Sequence, residues 1–400
     1  MKDYLHALFP SFPEQFPLPM VLDGSTGTSL MREGMPAGAC TETWVLEHPD
    51  VIKKIQSDYL KAGSDAVYSP TFGGNRPTLE RNRVKEPVGI NRRLAMLSCG
   101  EHRLVGGDLS PTGLFIKPFG DTPFDDIVAI YREQAKELEQ AGVDFFISET
   151  NINLQEARAA VIGIREVSSK PIFVTMTVNE NGHTLSGDTL LASFLALSDL
   201  GISAFGANCS QGPEKMLSLL GELVPYSLAL GIPLIAKPNA GLPKGENGVS
   251  HFDLSAEDFG KTIPDFLDAG IFILGGCCGT DADYIREIRR AVNAFDSRSF
   301  KKTALPTKYL ASGNRLVCEV NPAELSSDCF ITPRRDFFDV ATDKMFRGAK
   351  FFAIQFPDLN AAQAFLDSIQ VVRLPCVVRG SFRAIEKVKH YYNGHLLILS

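Results

Sequence analysis

Short apolar runs alternate with amphipathic stretches along most of this chain. The runs are MVLDGS (20–25), DAVYSPTF (65–72), RLVGGDLS (103–110), DFFISET (144–150), PIFVTMTV (171–178), SAFGANCS (203–210), PLIAKPNAG (233–241) and IFILGGCCG (271–279). Runs of this length, closed by Gly, Ser, Asn or an acid, predict strands buried on both faces. Between them, 125–141, 154–167 and 281–292 repeat apolar residues at helical spacing. Ser210 and Thr280 stand where helix caps are expected.

Eight strand–helix units of this kind predict a (β/α)8 TIM barrel, an α/β fold. A doubly wound open sheet would need a switch-point crevice and usually fewer strands. In a barrel the C-terminal strand ends carry the active site. Polar residues stand at those ends here: Asp23, Asp108, Glu149, Cys209, Asn239 and Cys277. The barrel is expected over 1–295, followed by a polar linker at 296–313. Residues 314–400 then form a small C-terminal α/β appendage. In it RLVCEV, FFAIQFPD, PCVVRG and HLLILS read as strands, while AAQAFLDSIQ and FRAIEKVKHYY read as helices.

Composition narrows the setting. Net charge is −7 with no basic block, which argues against nucleic acid and anionic membrane as partners. No apolar run approaches the roughly 18 residues of a membrane span. The start, MKDYLHALFPSFPEQFP, lacks the apolar core of a signal peptide. Eight scattered cysteines make no disulfide framework, so a reducing, cytoplasmic compartment is expected.

That shifts weight to cysteine chemistry. Cys209, Cys277 and Cys278 end two predicted strands and so fall on one rim. Three thiolates without a histidine suit Zn²⁺, with a fourth position open for a thiol substrate. Adjacent residues on a regular strand face opposite ways. Gly275, Gly276 and Gly279 relax that limit by allowing backbone conformations closed to other residues. Two buried thiols or a redox-active vicinal pair are the alternatives. Cys40, Cys99, Cys318, Cys329 and Cys376 read as small buried hydrophobes.

LDGSTGT (22–28) exposes backbone amides after an acid, a turn in which Asp23 could cap or could hold an ammonium. Glu149 ends a buried strand, where a carboxylate is costly unless paired. Asn239 could reach a metal or simply make a turn. Asp108 reads as ordering its own loop.

Taken together, LDGSTGT, SPTFGGN (69–75), GGDLSPTG, YREQAKELEQAGVDFFISET (131–150), FVTMTV with GHTLSG, GANCSQGP, KPNAGLP and GGCCGT resemble the zinc-dependent homocysteine S-methyltransferase family. The likeness is nearest to the homocysteine-binding module of cobalamin-dependent methionine synthase and covers about 20–292. It implies zinc on Cys209, Cys277 and Cys278, with the homocysteine sulfur as fourth ligand and Asn239 as a candidate for that position without substrate. Asp23 and Glu149 would receive the substrate ammonium, with amides near Gly24 and Ser25 close to its carboxylate. Tyr284 stands where the family often has His, and SPTF replaces a more usual Asn-Thr-Phe. No Asp-x-His-x-x-Gly cobalamin signature occurs, so the resemblance implies a corrinoid (cobalamin) supplied in trans by a separate protein. S-methylmethionine, S-adenosylmethionine or betaine are alternative donors, and a non-catalytic zinc or corrinoid-protein binding subunit is a further alternative.

Overall fold

The computed structural model describes residues 4–399 except 86, 101–103, 118–119, 210, 243, 247–248, 302 and 308. Eight parallel strands form one sheet. They are β1 (Met20–Val21), β2 (Ala66–Tyr68), β3 (Leu104–Leu109), β4 (Phe145–Asn151), β5 (Ile172–Met176), β6 (Ala204–Asn208), β7 (Leu234–Lys237) and β8 (Ile273–Leu274). Consecutive strands pair from β2 through to β8, and β8 lies between β7 and β1. Helices such as Phe124–Ala141, Leu154–Arg165 and Leu190–Ser198 surround the sheet. This is the expected (β/α)8 barrel, and every predicted strand takes its place in it.

The β1–β2 seam closes the ring with one backbone bond and two bonds to aspartate side chains. The Asp65 amide donates to Val21 O at 2.7 Å, and the Val21 amide donates to Asp65 Oδ2 at 2.7 Å. One layer higher, the Tyr68 amide donates to Asp23 Oδ2 at 2.7 Å. Two short strands thereby gain the ladder bonds that backbone pairing alone does not supply there.

The N-terminal segment closes the lower end. Leu5, Phe9, Phe12 and Phe16 are buried. Phe12 stacks on Phe173 at 5.9 Å and Phe16 meets Phe145 edge-on at 5.6 Å. Phe145 and Phe173 start β4 and β5, so these rings fill the N-terminal mouth. Burying each ring contributes on the order of 1.5–3 kcal/mol. The upper end is left for chemistry.

Two predicted caps need correcting. Helix Ala282–Ala294 is capped by Asp281, whose side chain accepts from the Asp283 amide. Thr280 instead donates its hydroxyl to Cys277 O at 2.7 Å. Helix Pro213–Gly221 opens after Gly212 with no side-chain cap, and the expected cap Ser210 lies outside the described residues.

In the appendage, β11 (Phe352–Phe356), β12 (Cys376–Gly380) and β13 (Leu396–Ile398) form a parallel sheet of three. RLVCEV does not join it. Its core, Val317–Glu319 (β10), pairs antiparallel with Leu310–Ser312 (β9), a strand inside the stretch expected to be a linker. The appendage has its own apolar cluster around Phe337, Phe356, Phe365 and Val388.

Polar contacts dock it on the barrel's outer helices. Asn314 Nδ2 donates to Asp188 Oδ1 at 2.7 Å, and His395 Nδ1 lies 2.8 Å from Asp199 Oδ2. Arg158, 1% exposed, donates to Ala196 O at 3.2 Å, Lys389 O at 2.6 Å and His390 O at 3.4 Å. Burial pulls this guanidinium down to about 10, still protonated at neutral pH. No described helix is long and apolar enough to cross a membrane.

Arg158→Met keeps most of the volume but strips those carbonyls of their donor. A loss of about 2–4 kcal/mol is expected in urea denaturation, and a change near zero would refute the clamp.

Candidate metal centre and active site

The strand ends at the top surround a cavity of about 410 Å³. Its lining includes residues 24–28, Tyr68, Asp108, Glu149, Cys209, Lys237, Cys277 and Cys278.

Cys209 follows β6 with φ of +53°, a left-handed turn unusual for a residue with a Cβ. The turn sets its sulfur 3.5 Å from Cys278 Sγ. After β8 the chain still bonds to both neighbouring strands' ends: the Gly276 amide to Asp23 O at 3.1 Å and the Cys277 amide to Pro238 O at 2.9 Å. It then turns, with the Thr280 amide on Cys277 O at 3.1 Å. The adjacent cysteines thus leave strand geometry and both reach the cavity. The glycines assist differently from expectation. Only Gly279 has positive φ, +85°. Gly275 and Gly276 supply space, since a Cβ would lie 3.0 Å from Asp23 O and 2.3 Å from Thr280 Oγ1 respectively.

The three sulfurs lie within 4.8 Å of one another. Thiolates at about 2.3 Å from a tetrahedral Zn²⁺ stand about 3.8 Å apart, so the trio fits such an ion. Without a cation the thiols compete for protons. Donation from Cys209 and then Cys277 pulls Cys278 well down, while bonds to Cys277 and Cys278 push Cys209 far up. A divalent metal removes that conflict by accepting all three as thiolates.

Asn208, fully buried and missed in the sequence, braces this corner. Its Nδ2 donates to Thr150 Oγ1 at 2.9 Å, lies 3.3 Å from Glu149 Oε2 and 3.8 Å from Cys277 Sγ. Its Oδ1 accepts from the Thr150 amide and Thr175 hydroxyl, both at 2.9 Å. The adjacency of Asn208 to Cys209 was the available signal.

Lys237 was also missed. Its Nζ lies 2.9 Å from Asp23 Oδ1 in an ion pair whose side chains are 3% and 2% exposed. The same ammonium sits 3.7 Å from the centroid of the Tyr68 ring. With Oδ2 on the Tyr68 amide, both oxygens of Asp23 are engaged. Asp23 is absent from the described lining of the cavity, where Lys237 stands instead.

The remaining predicted residues divide. Gly24 and Ser25 line the cavity. A Cβ on Gly24 would come 2.8 Å from the Tyr59 ring. The Ser25 hydroxyl caps helix Thr26–Arg32 through the Thr28 amide at 3.1 Å. Glu149 lines the cavity, and burial pushes its carboxyl up to about 8, against the pull of Lys237. Asn239 is buried behind the lining, its Oδ1 without a hydrogen-bond partner among the described residues. Tyr284 is not in the described lining of the cavity and donates to Leu254 O at 2.6 Å. Cys40 is no inert hydrophobe: it lines the cavity and lies 3.4 Å from Glu42 Oε2. The buried Glu42 in turn accepts from the Gly73 amide at 2.7 Å.

A family model described as homocysteine S-methyltransferase matches residues 20–292. Methionine synthases from Mycobacterium leprae and Mycobacterium tuberculosis are each 32% identical over 296 residues, covering 68% of this chain. The chain spans only about a quarter, 24%, of the length of these curated relatives. Among solved structures, the homocysteine methyltransferase MmuM from Escherichia coli shares the barrel fold. Its metallated form is 19% identical with a TM-score of 0.55, over 68% of this chain and 95% of that one. Its oxidized form is 19% identical with a TM-score of 0.56, over 72% and 99%.

Glu149 yields a pH test. In metal-free protein the folded state keeps a proton that the unfolded chain releases, from pH about 4.5 up to about 8. Stability therefore falls as pH rises through that window. Glu149→Gln has no proton to lose, so its unfolding temperature is expected to decline less over the same range. Parallel declines would remove Glu149 as the cause.

Proposed function

The chain belongs to the homocysteine S-methyltransferase family, and on that premise we propose that it is a zinc-dependent enzyme converting homocysteine to methionine. The observation that carries this reading is the sulfur trio on the wall of the upper cavity. Cys209, Cys277 and Cys278 would hold the ion. Zinc bound there supplies Lewis acidity that keeps a substrate thiol ionised near neutral pH, well below its usual pKa of about 8.5.

The chain's own residues supply placement. Asn208 fixes the Cys277 side of the site, and the left-handed turn at Cys209 fixes the other. Glu149 faces the substrate's ammonium, while residues 24–25 face its carboxylate. Asn239 offers an oxygen without a protein partner. Asp23 acts from behind the wall by holding Lys237. The substrate sulfur takes a methyl group from the donor; a C–S bond forms, and the electron pair of the broken bond stays with the donor.

As donor we propose a methylcorrinoid carried by a separate protein. Met31 and Phe72, 50% and 41% exposed, line the cavity. An apolar rim of that kind suits a bulky donor and its carrier. Free thiols throughout the described residues suit a cytoplasmic setting.

Metal content and turnover test this together. Wild type is expected to carry one zinc and to form methionine from homocysteine with a methylcorrinoid. Cys209→Ser and Cys277→Ser are expected to lose the zinc and to slow turnover more than about a hundredfold. S-methylmethionine, S-adenosylmethionine and betaine run beside it identify the donor. Full activity in zinc-free Cys277→Ser protein would sink the mechanism.

A further inference from the structure

A second cavity, of about 420 Å³, opens where the barrel meets the appendage. It shares no described lining residue with the sulfur cavity. Its walls come from the loops after β3, β4 and β5 and from Arg315, in the turn between β9 and β10. The proposed methyl transfer makes no use of it.

Most of the wall is apolar. Phe115 and Leu185 line it although 60% and 76% exposed, and the buried Ile116 joins them. Two charged groups interrupt it. Glu156 is only 5% exposed, and its Oε1 accepts from the Thr112 amide and hydroxyl, both at 2.7 Å, and from the Tyr131 hydroxyl at 3.2 Å. Its Oε2 has no hydrogen-bond partner among the described residues. A carboxylate oxygen left without a donor in so buried a group is costly unless a ligand or water completes it. Arg315 donates one bond, from Nη2 to Ser186 O at 2.9 Å, and pairs with no acid among the described residues. Most of its five donors are therefore unused.

A single carboxylate ties these two groups to one loop. Asp188 Oδ2 accepts the Leu154 amide at 2.8 Å and the Ser186 hydroxyl at 2.7 Å, while Oδ1 accepts Asn314 Nδ2 at 2.7 Å. Leu154 opens the helix that carries Glu156, and Asn314 precedes Arg315. The acid and the guanidinium are thus set in place on one cavity before any ligand arrives. An acid, a cation and apolar walls between them match a zwitterion with an apolar side chain. A carboxylate can take the planar fork of Arg315, and an ammonium can complete Glu156. A plain apolar acid would leave Glu156 unpaired, and a plain amine would leave Arg315 so. We propose that this cavity binds an α-amino acid with an apolar side chain, its ammonium on Glu156 and its carboxylate on Arg315. The barrel supplies one partner and the appendage the other, so the bound amino acid bridges the two.

Leucine is the probe, because it has no thiol to reach a metal. Leucine, leucinol (no carboxylate) and 4-methylpentanoate (no amine) are titrated calorimetrically into the full chain as wild type, Arg315→Met and Glu156→Gln. Wild type is expected to bind leucine at least about tenfold more tightly than either analogue, the size of one charge-assisted hydrogen bond. Arg315→Met should bring leucine down to the level of leucinol and leave leucinol unchanged. Glu156→Gln should weaken leucine and leave 4-methylpentanoate unchanged. Arg315 is exposed, so its variant keeps the test readable if Glu156→Gln unsettles the Thr112 turn. No leucine binding to wild type, or equal binding of leucine and 4-methylpentanoate, overturns the assignment. Leucine affinity unchanged in Arg315→Met overturns it too, since leucine would then sit elsewhere. The proposed methyl transfer is tested separately and stands through each of these outcomes.

Discussion

One buried carboxylate ties the upper barrel together. Asp23 follows β1, accepts the Tyr68 amide from β2 and pairs with Lys237 at the end of β7. It therefore bridges the seam where two-residue and three-residue strands meet and reaches past β8 to the strand beyond. A charge this deep in the fold is tolerable only because its counter-ion and a backbone amide are both in place. Removing either partner leaves a buried charge uncompensated, which costs far more than a surface pair would.

The sulfur corner depends on that tie. The Gly276 amide bonds to Asp23 O, so the backbone leading into Cys277 is hung from the same residue. Cys277 in turn takes Pro238 O, next to Lys237. The ion pair and the thiols share one scaffold of short bonds. Asn208 extends it across to β4 and β5 through Thr150 and Thr175. Chemistry that needs sulfurs placed within a few tenths of an ångström is served by a wall with so little slack.

The barrel was legible because its strands are short apolar runs with polar ends, a pattern that survives without knowing what pairs with what. The sulfur trio was legible for the same reason, since strand ends share a rim. What escaped reading was what depends on tertiary closure. Lys237 ends an apolar run and looks like a strand leaving for solvent; its partner lies 214 residues away. Asp65 merely opens the run DAVYSPTF, yet it supplies the seam's missing acceptor. Thr280 resembles a helix cap, but its hydroxyl is claimed by Cys277 O and the role passes to Asp281. Leu310–Ser312 sits among polar residues and gains strand character only from pairing with Val317–Glu319.

The clamp at Arg158 grips the appendage by backbone carbonyls at positions 389 and 390 and never by their side chains. Recognition of that sort is blind to residue identity. Drift at position 389 would leave the guanidinium's acceptor in place, so long as the helix Phe382–Tyr391 keeps its path, whereas His390 also sets its ring edge-on to Phe124. The part of the seat that does depend on residue identity lies elsewhere, in Asn314 on Asp188, His395 beside Asp199 and the Tyr391 hydroxyl on Asp125.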